Sequence, residues 1–316
     1  MIGFILAAGF GTRLKPFTDH VPKALVPVCG EPLLKRACDF FIANGITKIA
    51  VNSHHHPEQI SDFITTRNLE CTIFHEEGKI RGTGGALYYA KEFLAKDDYF
   101  CVANVDIIAS FDLKALFNAF VEMGCTAGLV SVASKHGTVW YDEDTKEYAG
   151  ARSEESSVAG TCRGGLAGAE FAGIAFYKRG ILDLLTDKDF SILPVWKRCQ
   201  EKGLPVKIIE AGQAYWIDLG TPANLAAIHF DVLDGTYDIA VSEKLIVDRK
   251  AKKAYPRSFG ASTVKQLGAY SWIDTPSIPD SCRISRSVVF SDAAVPENAS
   301  IQNSIVTKYG VLSFGS

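Results

Sequence analysis

The chain opens with the pattern of a buried strand, which runs directly into a glycine-rich loop and then into two separate cations. Residues 2–7 are almost all apolar, as in a central parallel strand that is covered on both faces. Gly9 and Gly11 allow backbone N–H groups to approach a ligand without an intervening Cβ. Arg13 offers a planar fork of donors and Lys23 a point charge. Together these features predict a loop that binds a polyphosphate.

Two common phosphate-binding loops are similar to this segment but differ in residue identity. A P-loop has Lys and then Ser or Thr after its second glycine, whereas Gly11 is followed by Thr12 and Arg13. A dinucleotide-binding loop has a third Gly or Ala where this chain has Leu14, and Pro16 disfavours a long helix here. A glycine turn that only connects two elements is the remaining alternative, but such a turn would not need the two cations.

Strand and helix patterns alternate through about two thirds of the 316 residues. The predicted strands are Lys48–Val51, Leu69–Phe74, Tyr99–Ala103 and Ala127–Val132, and the predicted helices are 34–42, Pro57–Thr66, Gly85–Leu94 and Leu113–Met123. This succession predicts right-handed crossovers and a parallel or mixed sheet with helices on both faces. Ligands should gather at the carboxyl ends of the strands, where the glycine-rich loop begins.

Two acidic residues follow short apolar strands farther along the chain. Asp106 follows the strand that ends at Ala103, and Asp218 precedes Pro222, the expected first residue of a helix. Carboxylate oxygens are the ligands that Mg²⁺ prefers, so both residues are candidate metal ligands. Taken singly, Asp106 could instead begin a turn and Asp218 could cap the helix.

In this order, the segments resemble the signature of the sugar-1-phosphate nucleotidyltransferases, also called nucleotide-sugar pyrophosphorylases. That family carries Leu-Ala-Ala-Gly-x-Gly-Thr-Arg and then Pro-Lys-x-Leu-x-Pro, as do residues 6–13 and 22–27 here. The resemblance implies an α/β, Rossmann-like three-layer domain, known as the nucleotide-diphospho-sugar transferase fold. It implies transfer of a nucleoside monophosphate from an NTP to a sugar 1-phosphate. The types most similar use UTP or GTP: the N-acetylmuramate-1-phosphate uridylyltransferases and the mannose- or heptose-1-phosphate guanylyltransferases.

The resemblance also implies roles for individual residues. Arg13 and Lys23 are the implied catalytic residues, and Asp106 and Asp218 the implied ligands of a catalytic Mg²⁺. The implied nucleotide-binding residues are Leu6, Ala7, Ala8, Gly9, Gly11, Thr12, Gly82, Thr83, Gly84 and Gly85. The implied sugar-phosphate-binding residues are Asn104, Gly150, Glu170 and Gly173. From the residues alone, the segment 82–85 could also be a plain loop that starts a helix, and 153–168 either a mobile loop over the sugar pocket or a long connection.

The last forty residues show a different pattern, in which aliphatic residues recur every five or six positions. These residues are Ile278, Ile284, Val289, Val295, Ile301 and Val306. The pattern resembles the left-handed parallel β-helix that is appended to many sugar nucleotidyltransferases, with an antiparallel hairpin as the alternative. We therefore expect a nucleotidyltransferase domain at 1–232, a linker at 233–274 and a short β-helix at 275–316, whose open end could support a homo-oligomer.

Composition excludes several other classes of protein. The net charge of −3 provides no strong field for binding nucleic acid or anionic lipid. No apolar run approaches the ~20 residues of a membrane span, so we expect a cytoplasmic protein. The eight cysteines are scattered singly, which favours buried free thiols over a zinc site.

Two other functions stay open at this stage. One is a cytidylyltransferase that acts on phosphocholine or a related alcohol phosphate, which has the same chemistry with another acceptor. The other is a non-catalytic regulatory or binding protein on the same fold. Such a protein would be expected to lack one of the four implied catalytic and metal-binding residues, all of which are present here. The sequence supports a third function, that of a nucleotide-cofactor dehydrogenase, less than it supports these two, because the glycine-rich loop departs from the dinucleotide-binding pattern.

Overall fold

The computed structural model describes residues 1–134, 137–151 and 165–315. These residues form two compact units, which we call the first unit and the second unit. The first unit comprises residues 1–9 and 37–216, and the second comprises residues 10–36 and 217–316. The glycine-rich loop is therefore shared, because the chain leaves the first unit directly after Gly9.

Strands and helices are numbered in chain order. The strands are β1 Ile2–Leu6, β2 Pro27–Val28, β3 Glu31–Pro32, β4 Lys48–Ser53, β5 Cys71–His75, β6 Tyr99–Asn104, β7 Ile107–Ala109, β8 Ala127–Val132, β9 Val139–Asp142, β10 Tyr148–Ala151, β11 Leu166–Lys178, β12 Val206–Glu210, β13 Trp216–Asp218, β14 Leu245–Asp248, β15 Lys253–Pro256, β16 Ser271–Ile273, β17 Arg283–Ser285, β18 Ser287–Val289, β19 Ser300–Gln302, β20 Ser304–Thr307 and β21 Gly310–Ser313. The α-helices are α1 Leu33–Ala43, α2 Pro57–Thr66, α3 Gly82–Tyr89, α4 Lys91–Leu94, α5 Leu113–Glu122, α6 Leu193–Glu201, α7 Pro222–Asp234 and α8 Ala261–Lys265. Short 3-10 helices cover Thr12–Leu14, Phe17–Asp19, Lys23–Leu25 and Arg179–Leu184.

The first unit contains a nine-stranded mixed sheet, which confirms the predicted α/β class. Its strand order is β10-β9-β11-β6-β1-β4-β5, and β8 pairs with both β11 and β12. β1 lies between β4 and β6 and runs parallel to both, while β11 runs antiparallel to β6 and β8. Ile2, Phe4 and Ile5 are fully buried, as a central strand covered on both faces requires.

The parallel strands of the first unit end at one edge of the sheet. The loop after β1 and the turn after β6 are neighbours there, since Val105 N donates to Leu6 O at 3.1 Å. This is the edge at which α/β sheets bind ligands. The predicted location of the glycine-rich loop and of the Asn104-Val105-Asp106 segment at this edge is therefore confirmed.

Two segments of the first unit differ from their predictions. The helix predicted for Gly85–Leu94 begins earlier, at Gly82, because tertiary contacts hold the glycines in its first turn. It is also interrupted at Ala90. Of the loop predicted for 153–168, residues 153–164 lie outside the described residues, and Leu166 begins the long strand β11.

The described residues contain no helix with both the length and the apolar character that a membrane span needs. The seven cysteines among them carry free thiols, and Cys71 alone of these is not fully buried.

The second unit ends in strands that stack in parallel. β16, β18 and β20 lie side by side, with Trp272 opposite Val288 and Val288 opposite Ile305, and β17 pairs in parallel with β19. Inward aliphatic residues fill the stack, including Ile284, Val289 and Val306. β21 then folds back antiparallel on β20. The region therefore contains one antiparallel hairpin in addition to the parallel pairs. The segment 233–274, expected as a linker, carries β14, β15, α8 and β16.

Candidate active site

The part of the glycine-rich loop in the first unit is fixed at one end and open at the other. Ala7 N donates to the buried Asn52 Oδ1 at 2.7 Å, and Ala7 and Ala8 are themselves buried. Gly9 is exposed, and an added Cβ there would meet no atom within 4 Å. Packing within the protein therefore does not require a glycine at position 9, whereas the close approach of a ligand phosphate would require one.

A buried hydrogen-bond relay runs from this loop to the segment 82–85. Asn52 Nδ2 donates to Glu76 Oε1 at 2.7 Å, and Arg81 N donates to Glu76 Oε2 at 2.7 Å. Glu76 is only 4% exposed. The relay thus joins Ala7 N at one end to Arg81 N, directly before α3, at the other.

Packing inside the first unit accounts for the glycines at positions 82 and 84. Gly82 has φ +67°, and a Cβ there would collide with the carbonyl oxygen of Phe190. A Cβ on Gly84 would lie 2.6 Å from Ser191 O. Thr83 Oγ1 accepts from Ile192 N at 2.9 Å. These glycines therefore seat α3 on residues 190–192, and their contact with a nucleotide stays a prediction.

A small cavity of about 40 Å³ brings together four of the predicted site residues, namely Leu6, Thr83, Asn104 and Gly173. Gly173 has φ +73° and lies where the pairing of β11 with β8 shifts register. A Cβ there would lie 2.9 Å from Asn104 Nδ2, so the glycine lets β11 pass close to this amide. Ile107 Cγ1 would be as near, at 2.8 Å, and contact of Gly173 with a sugar phosphate stays a prediction.

The predicted metal ligand of the first unit and two of its predicted sugar-phosphate residues do not line this cavity. Asp106 is buried in the turn after β6, at 7% exposure. Gly150 has φ +136° and sits at an irregularity in the pairing of β10 with β9. Glu170 is half-buried on β11, opposite Val132.

In the second unit, Gly11 brings the loop against the segment that carries Lys23. Gly11 has φ +62°, and a Cβ there would lie 2.9 Å from Thr18 Cγ2 and 3.1 Å from Lys23 Cβ. Thr18 Oγ1 donates to Gly11 O at 2.8 Å, which holds this approach. Residues 12–14 form a single 3-10 turn, so the sequence prediction that no long helix opens here is confirmed.

Arg13 and Asp218 meet at the backbone of Gly220, also within the second unit. Asp218 Oδ1 accepts from Gly220 N at 2.6 Å. A Cβ on Gly220 would collide with Arg13 Nη2 and would lie 2.7 Å from Asp218 Oδ1. The guanidinium and the carboxylate are therefore near neighbours, and only a glycine at position 220 leaves room for both.

The alternative that Asp218 caps helix α7 is wrong. Thr221 is the N-cap residue, and its Oγ1 accepts from Asn224 N at 3.2 Å. Asn224 Nδ2 donates to the backbone oxygen of Asp218 at 2.7 Å, which fixes the residue without using its carboxylate. Within the described part of the chain, Asp218 Oδ2 accepts no hydrogen bond and is available to a cation.

Sequence reasoning missed Asn52, Glu76, Gly220 and Asn224. A partial signal existed for the first two, since each is a polar residue near the carboxyl end of a predicted strand, where ligands gather. The sequence assigned no role to Gly220 or Asn224, because their roles follow from how the turn between β13 and α7 is folded.

Comparison with known proteins shows which proteins this chain is similar to. Residues 2–146 match the family model described as nucleotidyl transferase. The chain is 28% identical over 250 residues to mannose-1-phosphate guanyltransferase 2 of Candida glabrata, and the match covers 72% of this chain but only 63% of that protein. It is 29% identical over 236 residues to N-acetylmuramate alpha-1-phosphate uridylyltransferase of Caulobacter vibrioides, covering 72% of this chain and 95% of that protein.

A solved structure agrees at the level of the fold. HddC from Yersinia pseudotuberculosis, complexed with GMP-PN, has a TM-score of 0.59 and 22% sequence identity, and the match covers 72% of this chain and 97% of that one. The family model, the relatives and the motifs at residues 6–13 and 22–27 agree with one another, and together they show that the chain is similar to the sugar-1-phosphate nucleotidyltransferases.

Proposed function

We propose that this protein transfers a nucleoside monophosphate from UTP or GTP to a sugar 1-phosphate, with an NDP-sugar and pyrophosphate as products. The observation that carries the proposal is the placement of Arg13 beside Asp218 at Gly220. Arg13 and Asp218 offer a cation and a carboxylate, which are the groups that a triphosphate and its metal require. The relatives, which act on sugar 1-phosphates by their names, support the same reaction.

The reaction needs no covalent enzyme intermediate. An oxygen of the sugar 1-phosphate attacks the α-phosphorus of the NTP, and the bond from that phosphorus to the bridging oxygen of pyrophosphate breaks. The task of the protein is alignment and neutralisation of charge. We assign Arg13 to the charge that develops on the leaving pyrophosphate, and Lys23 to the α-phosphate and the attacking phosphate.

We propose Asp106 and Asp218 as the ligands of Mg²⁺. Two carboxylates form a donor set suited to a hard cation, and Asp218 keeps one oxygen without a protein donor in the described residues. When bound, the ion would supply positive charge to the triphosphate and to the departing pyrophosphate. The described residues contain no group of three or more His, Cys, Asp or Glu side chains that could hold a metal, so substrate oxygens and water would complete the coordination.

The remaining site residues keep their predicted roles as proposals. Nucleotide contacts are assigned to residues 6–9, 11, 12 and 82–85. Sugar-phosphate contacts are assigned to Asn104, Gly150, Glu170 and Gly173. The cavity shared by Leu6, Thr83, Asn104 and Gly173 supports this assignment for those four residues. A cytidylyltransferase for alcohol phosphates is not favoured, because the named relatives act on sugar 1-phosphates.

We further propose that the C-terminal parallel strands form a short left-handed β-helix, that the protein is cytoplasmic and that it self-associates through this region. The parallel pairing of β17 with β19 and of β18 with β20 and the inward aliphatic cluster support the β-helix. The domain boundaries at residues 232 and 274 stay part of the same proposal. Light scattering would measure the oligomeric state.

Pyrophosphate release tests the function directly. The purified protein is assayed with Mg²⁺ and each of the four NTPs against a panel of sugar 1-phosphates, with phosphocholine and inositol 1-phosphate as alternative acceptors. We expect turnover with UTP or GTP and at least one sugar 1-phosphate. Turnover with CTP and phosphocholine alone would support the cytidylyltransferase, and no turnover with any acceptor would refute the proposal.

A further inference from the structure

The relay from Ala7 to Arg81 joins two segments that are proposed to bind the nucleotide. Ala7 N donates to Asn52 Oδ1, Asn52 Nδ2 donates to Glu76 Oε1, and Arg81 N donates to Glu76 Oε2. All three distances are 2.7 Å, and Asn52 and Glu76 are both buried. We propose that Asn52 and Glu76 are positioning residues, which hold the glycine-rich loop and the start of α3 in register for the nucleotide. This role in catalysis rests on the proposed function, whereas the relay itself does not.

The polarity of the relay is fixed from both ends. A backbone N–H can only donate, so Ala7 requires the oxygen of the Asn52 amide, and the amide nitrogen must then point at residue 76. Arg81 N–H also requires an acceptor at residue 76. Both oxygens of residue 76 must therefore accept, which a carboxylate does and a glutamine cannot.

The burial of Glu76 shows that this arrangement is costly and specific. A carboxylate removed from water is strongly destabilising unless it is hydrogen-bonded or paired. Within the described residues its carboxylate oxygens accept two hydrogen bonds and no Lys or Arg side chain pairs with it. The first turn of α3, which begins directly after Arg81, adds the partial positive charge of a helix N-terminus.

The same logic identifies a pair of substitutions that should cancel. In Glu76→Gln one donor must face another, either at Arg81 N or, if the Asn52 amide turns over, at Ala7 N. In Asn52→Asp two carboxylates face each other. In the double variant Asn52→Asp/Glu76→Gln, the aspartate accepts from Ala7 N and from the glutamine, and the glutamine oxygen accepts from Arg81 N. The swap keeps heavy-atom shape, net charge and every donor matched with an acceptor.

The experiment compares the two single variants, the double variant and Glu77→Gln, a matched control at the adjacent, exposed acid. The readouts are the KM for NTP, the KM for the sugar 1-phosphate, kcat and the hydrogen exchange of the Ala7 and Arg81 amides. Because a mismatched buried hydrogen bond destabilises the loop arrangement that contains it, we expect each single variant to raise the KM for NTP on the order of 10-fold or more. The double variant and Glu77→Gln should lie within about 3-fold of the wild type, and the KM for the sugar 1-phosphate should change less throughout.

Amide exchange separates failure of this inference from failure of the proposed function. If the wild type has no transferase activity, protection of the Ala7 and Arg81 amides still tests the relay: it should be lost in each single variant and regained in the double variant. If both single variants fail to fold, a folded double variant supports the polarity argument. Single variants that keep wild-type KM and protection would overturn the inference, as would a double variant no better than the single ones.

Discussion

Gly9 and Gly82 both belong to segments proposed to contact the nucleotide, yet the fold treats them differently. Gly9 has open space where a Cβ would be, whereas Gly82 combines φ +67° with a collision against Phe190 O. Alanine at position 9 should leave the free energy of unfolding within about 1 kcal/mol of the wild type, while alanine at position 82 should lower it by more than that. Chemical denaturation measures both values.

The same pair of variants separates ligand approach from packing. Gly9→Ala should raise the KM for NTP, because the new methyl group occupies space that the phosphates need. A Gly9→Ala variant that binds NTP normally would show that the open space at this position is not used by the nucleotide.

Arg13 tests geometry against charge at the phosphate loop. Arg13→Lys keeps the charge but loses the planar fork, so we expect kcat to fall on the order of 10²-fold with a smaller change in NTP affinity. Gly220→Ala should also lower kcat, because its Cβ displaces the Arg13 guanidinium and crowds Asp218 Oδ1, while stability changes little since both obstacles are the ends of side chains. Steady-state kinetics would contradict the assigned role if NTP affinity fell and kcat did not.

The metal assignment predicts a loss that depends on charge and not on shape. Asp106→Asn and Asp218→Asn each remove one charge from a hard-cation ligand, so turnover should fall by at least ~10²-fold with the fold retained. Asp144→Asn, at an exposed turn, is the control. Rates are measured across a Mg²⁺ titration, and near-normal rates at saturating Mg²⁺ would argue that the altered residue is no ligand.

At the scale of elements, the hairpin of β2 and β3 is held by helix α7. Its turn residues Cys29 and Gly30 have φ +49° and +85°, the left-handed pair that a two-residue hairpin turn requires. Cys29 N donates to His229 Nε2 at 3.0 Å, and His229 Nδ1 lies 2.8 Å from Leu225 O, to which it donates. The imidazole is therefore neutral, and burial lowers the pKa of His229 to about 4.

This contact predicts a pH-dependent stability of the second unit. The unfolded chain binds a proton at His229 below pH 6.5 and the folded chain does not until about pH 4, so stability is full above pH 6.5 and falls as the pH drops through that window. Between pH 7 and pH 5 the wild type should lose about 2 kcal/mol more than His229→Gln. The variant also serves as the control for Asp274, whose pKa is raised by burial to about 6 and whose effect has the opposite sign. Equal pH profiles for the two proteins would contradict the prediction.

At the scale of the whole molecule, the sequence predicted those features of the fold that depend on neighbouring residues in the chain. The apolar β1, the single turn at residues 12–14 and the strand before Asn104 could be read from neighbours in the sequence. The relay could not, because Asn52 reaches Ala7 and Glu76 only through the register that sets it opposite Leu6 on one side and Phe74 on the other. For the same reason the strands between residues 245 and 273 were missed, since each is short and is stabilised by its neighbours in the stack.

The C-terminal stack places a constraint on how its length can vary during evolution. Tyr270, Arg286 and Asn303 all have positive φ and mark successive corners of the stack, 16 and 17 residues apart along the chain. An insertion or deletion of about one such interval would add or remove a complete layer and leave every aliphatic side chain pointing inward. A change of a few residues would instead rotate the following aliphatic positions toward solvent. Length differences among related chains in this region should therefore come in whole layers, with smaller changes confined to the corners.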